Sequence, residues 1–147
     1  MITDVLRTTL LQKAIAARQQ SYAPYSNFAV GAALLTKSGS IYTGCNVENA
    51  AFGAGICAER TAAVKAISEG DDKFVAIAVA GYPINATREQ LSLAFPCGIC
   101  RQFLNEFALP NMPVFVVKTV NDYVETSLEE ILPHAFGPKN LKNTLEE

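Results

Sequence analysis

Tryptophan is absent from the chain, histidine occurs once, as His134, and methionine occurs twice. A single histidine excludes any scheme that needs two imidazoles in one chain, which removes the usual histidine-rich zinc enzymes. Neither sign of charge dominates: 12 basic and 14 acidic residues leave a net charge of −2. A general nucleic-acid binder needs a basic face to neutralise phosphates, and this balance argues against one. Long hydrophobic runs are missing as well. The longest apolar run, Phe28 to Leu35, falls far short of the ~20 residues of a membrane span. The first twenty residues mix charges with apolar side chains and lack a secretory hydrophobic core. No membrane or nucleic-acid partner is expected, and the chain reads as a soluble cytoplasmic protein.

What is present suits one globular domain over residues 1–147. Half of the residues are hydrophobic and 18% are charged. At this length roughly two-thirds of the unfolded surface can be buried, so neither disulfide nor metal is needed merely to hold a core. Thr3 is a candidate N-cap, and Leu6, Leu10, Ala14 and Ala17 follow at helical spacing, which predicts a helix to about Gln20. Phe28 to Thr36 reads as a strand, Lys37 to Ser40 as a turn and Ile41 to Val47 as the return strand. Glu48 to Gly55 reads as a loop and Ile56 to Glu69 as an alanine-rich helix closed by Gly70. Phe74 to Ala80 and Pro113 to Lys118 are strands covered on both faces, with a helix from about Cys97 to Phe107 between them. Tyr123 to Thr126 is an antiparallel edge, Ser127 to Leu132 a short helix, and the tail after Pro138 is polar.

This order predicts an α/β fold: a three-layer α/β/α sandwich around a mixed five-stranded sheet with a parallel centre and right-handed crossovers. Ligands of such sheets sit at the carboxyl ends of the strands, where the next helices begin. Those helix starts carry cysteines. Cys57 opens one crossover helix, and Cys97 and Cys100, one helical turn apart, open the next. Adjacent parallel strands would bring the three thiols to one point. Helix N-termini favour negative charge and lower thiol pKa values. Three protein ligands leave a tetrahedral zinc with one open position, the mark of a catalytic rather than a structural site.

Other readings of the cysteines stand beside this one. A thioredoxin-like Cys-x-x-Cys redox pair gives Cys57 and Glu59 no task. A structural four-ligand zinc would recruit Cys45 or His134. Buried cysteines can also be small hydrophobes, which is the expectation for Cys45 on its strand, and His134 reads as a surface residue.

Cys57-Ala58-Glu59-Arg60 with Pro96-Cys97-Gly98-Ile99-Cys100-Arg101-Gln102 resembles the zinc-dependent cytidine deaminases in their small homotetrameric form. The resemblance runs from about Tyr22 to Leu141. It includes the stretches Tyr25 to Ala33, Gly44 to Ala50 and Leu132 to Pro138. Two departures are visible, Phe95 where the family often has serine and Phe52 where tyrosine is usual; both bear on the pocket wall.

The resemblance implies that Cys57, Cys97 and Cys100 hold one Zn²⁺ per chain, and that Glu59, which is no ligand, moves the protons as water replaces the amino group at C4 of cytosine. Three thiolates on a divalent ion leave a net −1. Arg60, on the helical face of Cys57, is the expected cationic neighbour, with Arg101 a second candidate. Asn46 and Glu48, two residues apart, are expected to take ribose hydroxyls. Phe28 is expected to pack on the pyrimidine, and the Ala58 and Pro96 region to meet the base edge. The loop Ala50 to Gly55 is small and apolar, which burial against another subunit would explain. In the family this region and the segment around Phe136 complete neighbouring sites in a homotetramer.

Three rival functions are separable. A blasticidin-type deaminase shares the three-cysteine motif but differs around Asn46 to Asn49. A polynucleotide deaminase is disfavoured by the acidic balance and by cysteine rather than histidine before Ala58-Glu59. A non-enzymatic zinc module has no use for Glu59.

Overall fold

The computed structural model describes residues 2–142; the end of the expected polar tail, 143–147, lies outside the described residues. The first helix, α1 (Asp4–Ala17), begins where the Thr3 hydroxyl accepts a hydrogen bond from the Leu6 N–H, and a tight 3₁₀ turn extends it through Gln20. Then follow β1 (Phe28–Thr36), β2 (Ile41–Cys45), α2 (Ala58–Ser68), β3 (Phe74–Pro83), α3 (Gly98–Asn105), β4 (Pro113–Thr119), β5 (Asp122–Ser127), α4 (Leu128–Ile131) and α5 (Lys139–Lys142).

The strands form one five-stranded sheet in the order β2-β1-β3-β4-β5. β1 runs antiparallel to both β2 and β3, β3 pairs parallel with β4, and β5 returns antiparallel to β4. Thus β2, β3 and β4 share one direction, as expected of the crossover units. The expected adjacency differs: β1 lies between β2 and β3, so β3 and β4 are the one parallel pair of neighbours in this sheet. Pairing with β1 also explains why β3 runs on to Pro83, since Phe28, Ala29 and Val30 lie opposite Pro83, Tyr82 and Gly81. β2 is shorter than the sequence suggests. After Cys45 the chain leaves the ladder, and Val47 instead bridges Tyr22 and Ile56. The polar tail starts with a helical turn, α5.

Alternation along the strands builds two cores, one on each face. Ala32, Leu34, Ile77, Val79, Val114 and Val116 point toward α2, α3 and α4, meeting Ala62, Ala66, Leu104 and Leu128. Ala33, Leu35, Ala76, Ala78, Phe115 and Val117 point the other way and meet Leu10, Leu11 and Ala14 of α1. Each fully buried Leu, Ile, Val or Phe contributes about 1.5–3 kcal/mol of transfer free energy. This is a three-layer α/β/α sandwich.

Glycine sets how close the layers come. A Cβ at Gly44 would lie 2.5 Å from the Ala58 carbonyl and 2.5 Å from the Ala62 N–H, so the start of α2 rests directly on the end of β2. On the opposite face the backbone of Ala14 and Arg18 occupies the space where Gly31 would carry a side chain. The Gly44 contact anchors the helix start on which the candidate site is built.

Candidate functional site

Cys57 is the N-cap residue of α2 and Cys97 the N-cap residue of α3. Both have extended backbone, and neither side chain caps its own helix, so each sulfur is free to face the other. Cys57 Sγ lies 3.8 Å from Cys97 Sγ. Cys100, fully buried one turn into α3, completes the group, and all three sulfurs lie within 4.8 Å of one another. With zinc–sulfur bonds of about 2.3 Å, the edge of a tetrahedron is about 3.8 Å. Donor type, number and spacing therefore fit a zinc ion. Although β2 and β3 are not neighbours, the helix starts meet because α2 lies across β1 as well as β2 and touches α3.

Cys45 is excluded from the cluster by strand alternation. It pairs with Gly31, on the sheet face packed against α1. His134 is exposed, with a positive φ of 55°. Neither supplies a fourth protein ligand.

Glu59 follows Cys57 by two residues and is 3% exposed. Burial is the largest influence on its carboxyl and pushes the pKa up, helped by the neighbouring Cys57 sulfur. Arg60 donates from Nη2 to Cys57 Sγ at 3.6 Å. Hydrogen bonding from the Cys100 thiol, followed by that from Arg60, draws the Cys57 thiol well below its usual pKa, against the effect of burial. Arg101 does something else. It donates from Nε to the Pro96 carbonyl at 2.6 Å and from Nη1 to the Ile131 carbonyl at 2.7 Å, tying the start of α3 to α4. Pro96 therefore has its carbonyl engaged within the fold.

A cavity of about 510 Å³ opens above the cysteines. Phe28, Asn46, Glu48, Ala58, Glu59 and Arg60 line it together with Cys57 and Cys97, so of the residues chosen from the sequence only Cys100, buried beneath it, and Phe136 are not in its wall. Phe136 lies outside it, 59% exposed, with its carbonyl accepting from the side-chain amides of Gln102 and Asn105. Phe95 forms part of the wall, together with Val30, Val79 and Ile99. The last three were not separable in the sequence from ordinary core positions, because each falls on the apolar pattern of its strand or helix.

Glu48 is held rather than loose. Its Oε1 accepts the backbone N–H groups of Tyr25 at 3.0 Å and Ser26 at 3.1 Å. Hydrogen bonding to Ser26 leads the effects that keep this carboxyl below its usual pKa, so it stands as an acceptor-only group. The Tyr25 and Ser26 amides carry no side-chain signal for this task.

A sequence model described as "Cytidine and deoxycytidylate deaminase zinc-binding region" matches residues 6–116. The chain belongs to this family. It is 44% identical over 138 residues to the cytidine deaminase of Sporosarcina psychrophila, covering 94% of this chain and 96% of that protein. It is 42% identical over 137 residues to the cytidine deaminase of Halalkalibacterium halodurans, covering 93% and 98%. The crystal structure of cytidine deaminase from Burkholderia pseudomallei superposes with a TM-score of 0.77 at 44% identity, covering 87% of this chain and 97% of that one. The matched residues include all three clustered cysteines, Cys57 at the start of α2 and Cys97 and Cys100 at the start of α3.

Proposed function

We propose that the protein hydrolyses cytidine and deoxycytidine to uridine and deoxyuridine with release of ammonia, as a step of pyrimidine salvage. The observation that carries this reading is a buried glutamate, Glu59, beside three cysteines spaced for zinc on the floor of a cavity. Cys57, Cys97 and Cys100 are the residues assigned to hold the ion. Zinc, when bound, supplies Lewis acidity that makes a hydroxide nucleophile available near neutral pH.

The protein's own part is proton movement and orientation. Water adds across the C4–N3 bond of the base, and Glu59 carries the proton that water gives up to N3. The same carboxyl then passes the remaining hydroxyl proton to the amino group; the C4–N bond breaks, ammonia leaves and a carbonyl remains. A carboxyl with a raised pKa suits this alternation between base and acid. Arg60 offsets the negative charge of the thiolates through its bond to Cys57. Phe28 packs on the pyrimidine, and the backbone of Ala58 meets the base edge.

Asn46 and Glu48 orient the sugar. Glu48 offers acceptor oxygens, Asn46 has one N–H unengaged in the fold, and one ribose hydroxyl can accept from the amide while donating to the carboxylate. One hydroxyl satisfies both groups, which supports acceptance of both ribo- and deoxyribonucleosides. Among the described residues Arg60 is the one cation lining the cavity, and it is turned to Cys57. A phosphorylated substrate would therefore meet Glu48 without a free cation. Cytidine monophosphate is expected to have kcat/KM lower than cytidine by at least about tenfold; equal values would contradict a nucleoside site. For Glu48→Ala, KM for cytidine is expected to rise by roughly 10–100-fold, the range for a hydrogen bond to a charged group, with zinc content unchanged.

Assembly as a homotetramer with shared active sites is supported by what the surface exposes. Phe52 is 79% exposed and meets Tyr25 edge-on at 5.7 Å, at the rim of the cavity. Phe136 is exposed too. An aromatic entering a neighbour's cavity would exclude water and strengthen its electrostatics. Light scattering should give about four times the 15.8 kDa chain mass, and Phe136→Ala should raise KM while zinc stays bound. A fully active monomer would contradict this assembly. Among the described residues no helix is long and apolar enough to cross a membrane. The free cysteines suit the reducing cytoplasm, where we place the protein.

A further inference from the structure

The side-chain amide of Asn46 is wired into the fold at three of its four hydrogen-bonding positions. Its Oδ1 accepts the Val30 N–H at 2.9 Å and also the Ser21 hydroxyl; its Nδ2 donates to the Phe28 carbonyl at 2.8 Å. One Nδ2 hydrogen is left for a ligand in the cavity that Asn46 lines. The backbone partners decide which end of the amide is oxygen. Its tilt also depends on the second bond to Oδ1, and that bond comes from Ser21.

Ser21 is itself held firmly. Just before it, Arg18 donates to the carbonyls of Ala29 and Tyr82, both at 2.8 Å, and lies 3.4 Å from the centre of the Tyr82 ring. Just after it, the Tyr22 N–H donates to the Asn46 carbonyl at 3.0 Å, and the Glu48 N–H donates to the Tyr22 carbonyl at 2.8 Å. The segment leaving α1 is thus fastened to the ends of β1 and β3 on one side and to Asn46 and Glu48 on the other. The hydroxyl is delivered to Oδ1 from a fixed backbone.

We propose that Ser21 is a positioning residue for substrate, which holds the Asn46 amide so that its free N–H is aimed at the sugar hydroxyl. This rests on the assignment of Asn46 to the ribose. Without the hydroxyl, Oδ1 takes a water as its second partner, and the amide tilts away from the line to the ligand. The ground-state and transition-state complexes share that sugar contact, so the loss falls on KM and not on kcat.

The test compares Ser21→Ala, Ser21→Thr and Asn46→Ala, all zinc-loaded, with cytidine and with 3′-deoxycytidine. Loss of one neutral hydrogen bond predicts a KM for cytidine about 3–10-fold higher in Ser21→Ala, with kcat unchanged. Ser21→Thr, which keeps the hydroxyl, should restore KM. With 3′-deoxycytidine, which lacks the 3′-hydroxyl that this reading assigns to Asn46 and Glu48, Ser21→Ala and the unaltered protein should have the same KM. An unchanged cytidine KM in Ser21→Ala, beside a raised one in Asn46→Ala, overturns the role of Ser21 and leaves the ribose assignment standing. An unchanged KM in Asn46→Ala removes that assignment and the proposal with it. A fall in kcat with lost thermal stability, not restored by threonine, marks Ser21 as merely structural and also overturns it.

Discussion

Replacing Glu59 by alanine should leave a folded, zinc-loaded protein whose kcat is lower by about 10²–10⁴-fold, the usual contribution of a positioned acid–base group. The site places this carboxyl at the second position of α2, two residues from Cys57, at 3% exposure. A carboxylate so deeply buried would be costly if it served only as a solvated helix charge. Burial and the nearby Cys57 sulfur raise its pKa, the direction that suits a carboxyl that must both take up and release a proton. Glu59→Gln keeps the shape and removes the exchangeable acid, and it should be as inactive as the alanine variant. Because Glu59 is not one of the three residues assigned to hold the ion, metal analysis of both variants should still find one zinc per chain. Near-normal turnover in either would show that another group moves the protons.

Removing the thiols should have the opposite signature, with metal and activity lost together. Cys57→Ala, Cys97→Ala and Cys100→Ala, combined in one chain, should bind no zinc at purification and show activity reduced on the order of 10⁴-fold or more, since the nucleophile then has to come from bulk water. A zinc ion held by these three cysteines would tie the start of α2 to the start of α3, so the zinc-free protein should also melt at a lower temperature, as ligand linkage requires. Cys45→Ser separates this site from a four-cysteine one. Its side chain lies on the α1 face of the sheet, and both zinc and turnover should survive. Zinc retained in the triple variant would show that the ion sits elsewhere.

The site was more legible in the sequence than the sheet that builds it. Cys57, Cys97 and Cys100 declare themselves because few uses of three thiols need two of them one helical turn apart and the third beside a glutamate. The strands were legible from runs such as Phe74 to Ala80, whose both-sided burial comes from helices on either face. Strand order was less so. The insertion of β1 between β2 and β3 depends on pairing between residues some fifty positions apart, such as Ala32 with Val79, and no local pattern encodes it. Gly31 and Gly44 looked like ordinary strand glycines until the helices pressed on them.

Asn46 and Phe136 show two further ways in which sequence falls short. Asn46 is recognisably polar at a strand end, yet three of its hydrogen bonds belong to the fold, and that engagement with Ser21, Phe28 and Val30 is invisible before the chain closes. Phe136 lies away from its own cavity, so a role at a site depends on a second chain.

The central claim is a hydrolysis at C4 of a cytosine nucleoside. It is tested most directly by incubating the zinc-loaded protein with cytidine in heavy-oxygen water and analysing the products by mass spectrometry. The account predicts uridine carrying one heavy oxygen, at C4, and one equivalent of ammonia for each cytidine consumed. Cytidine recovered unchanged, or uridine formed without the label, would contradict it.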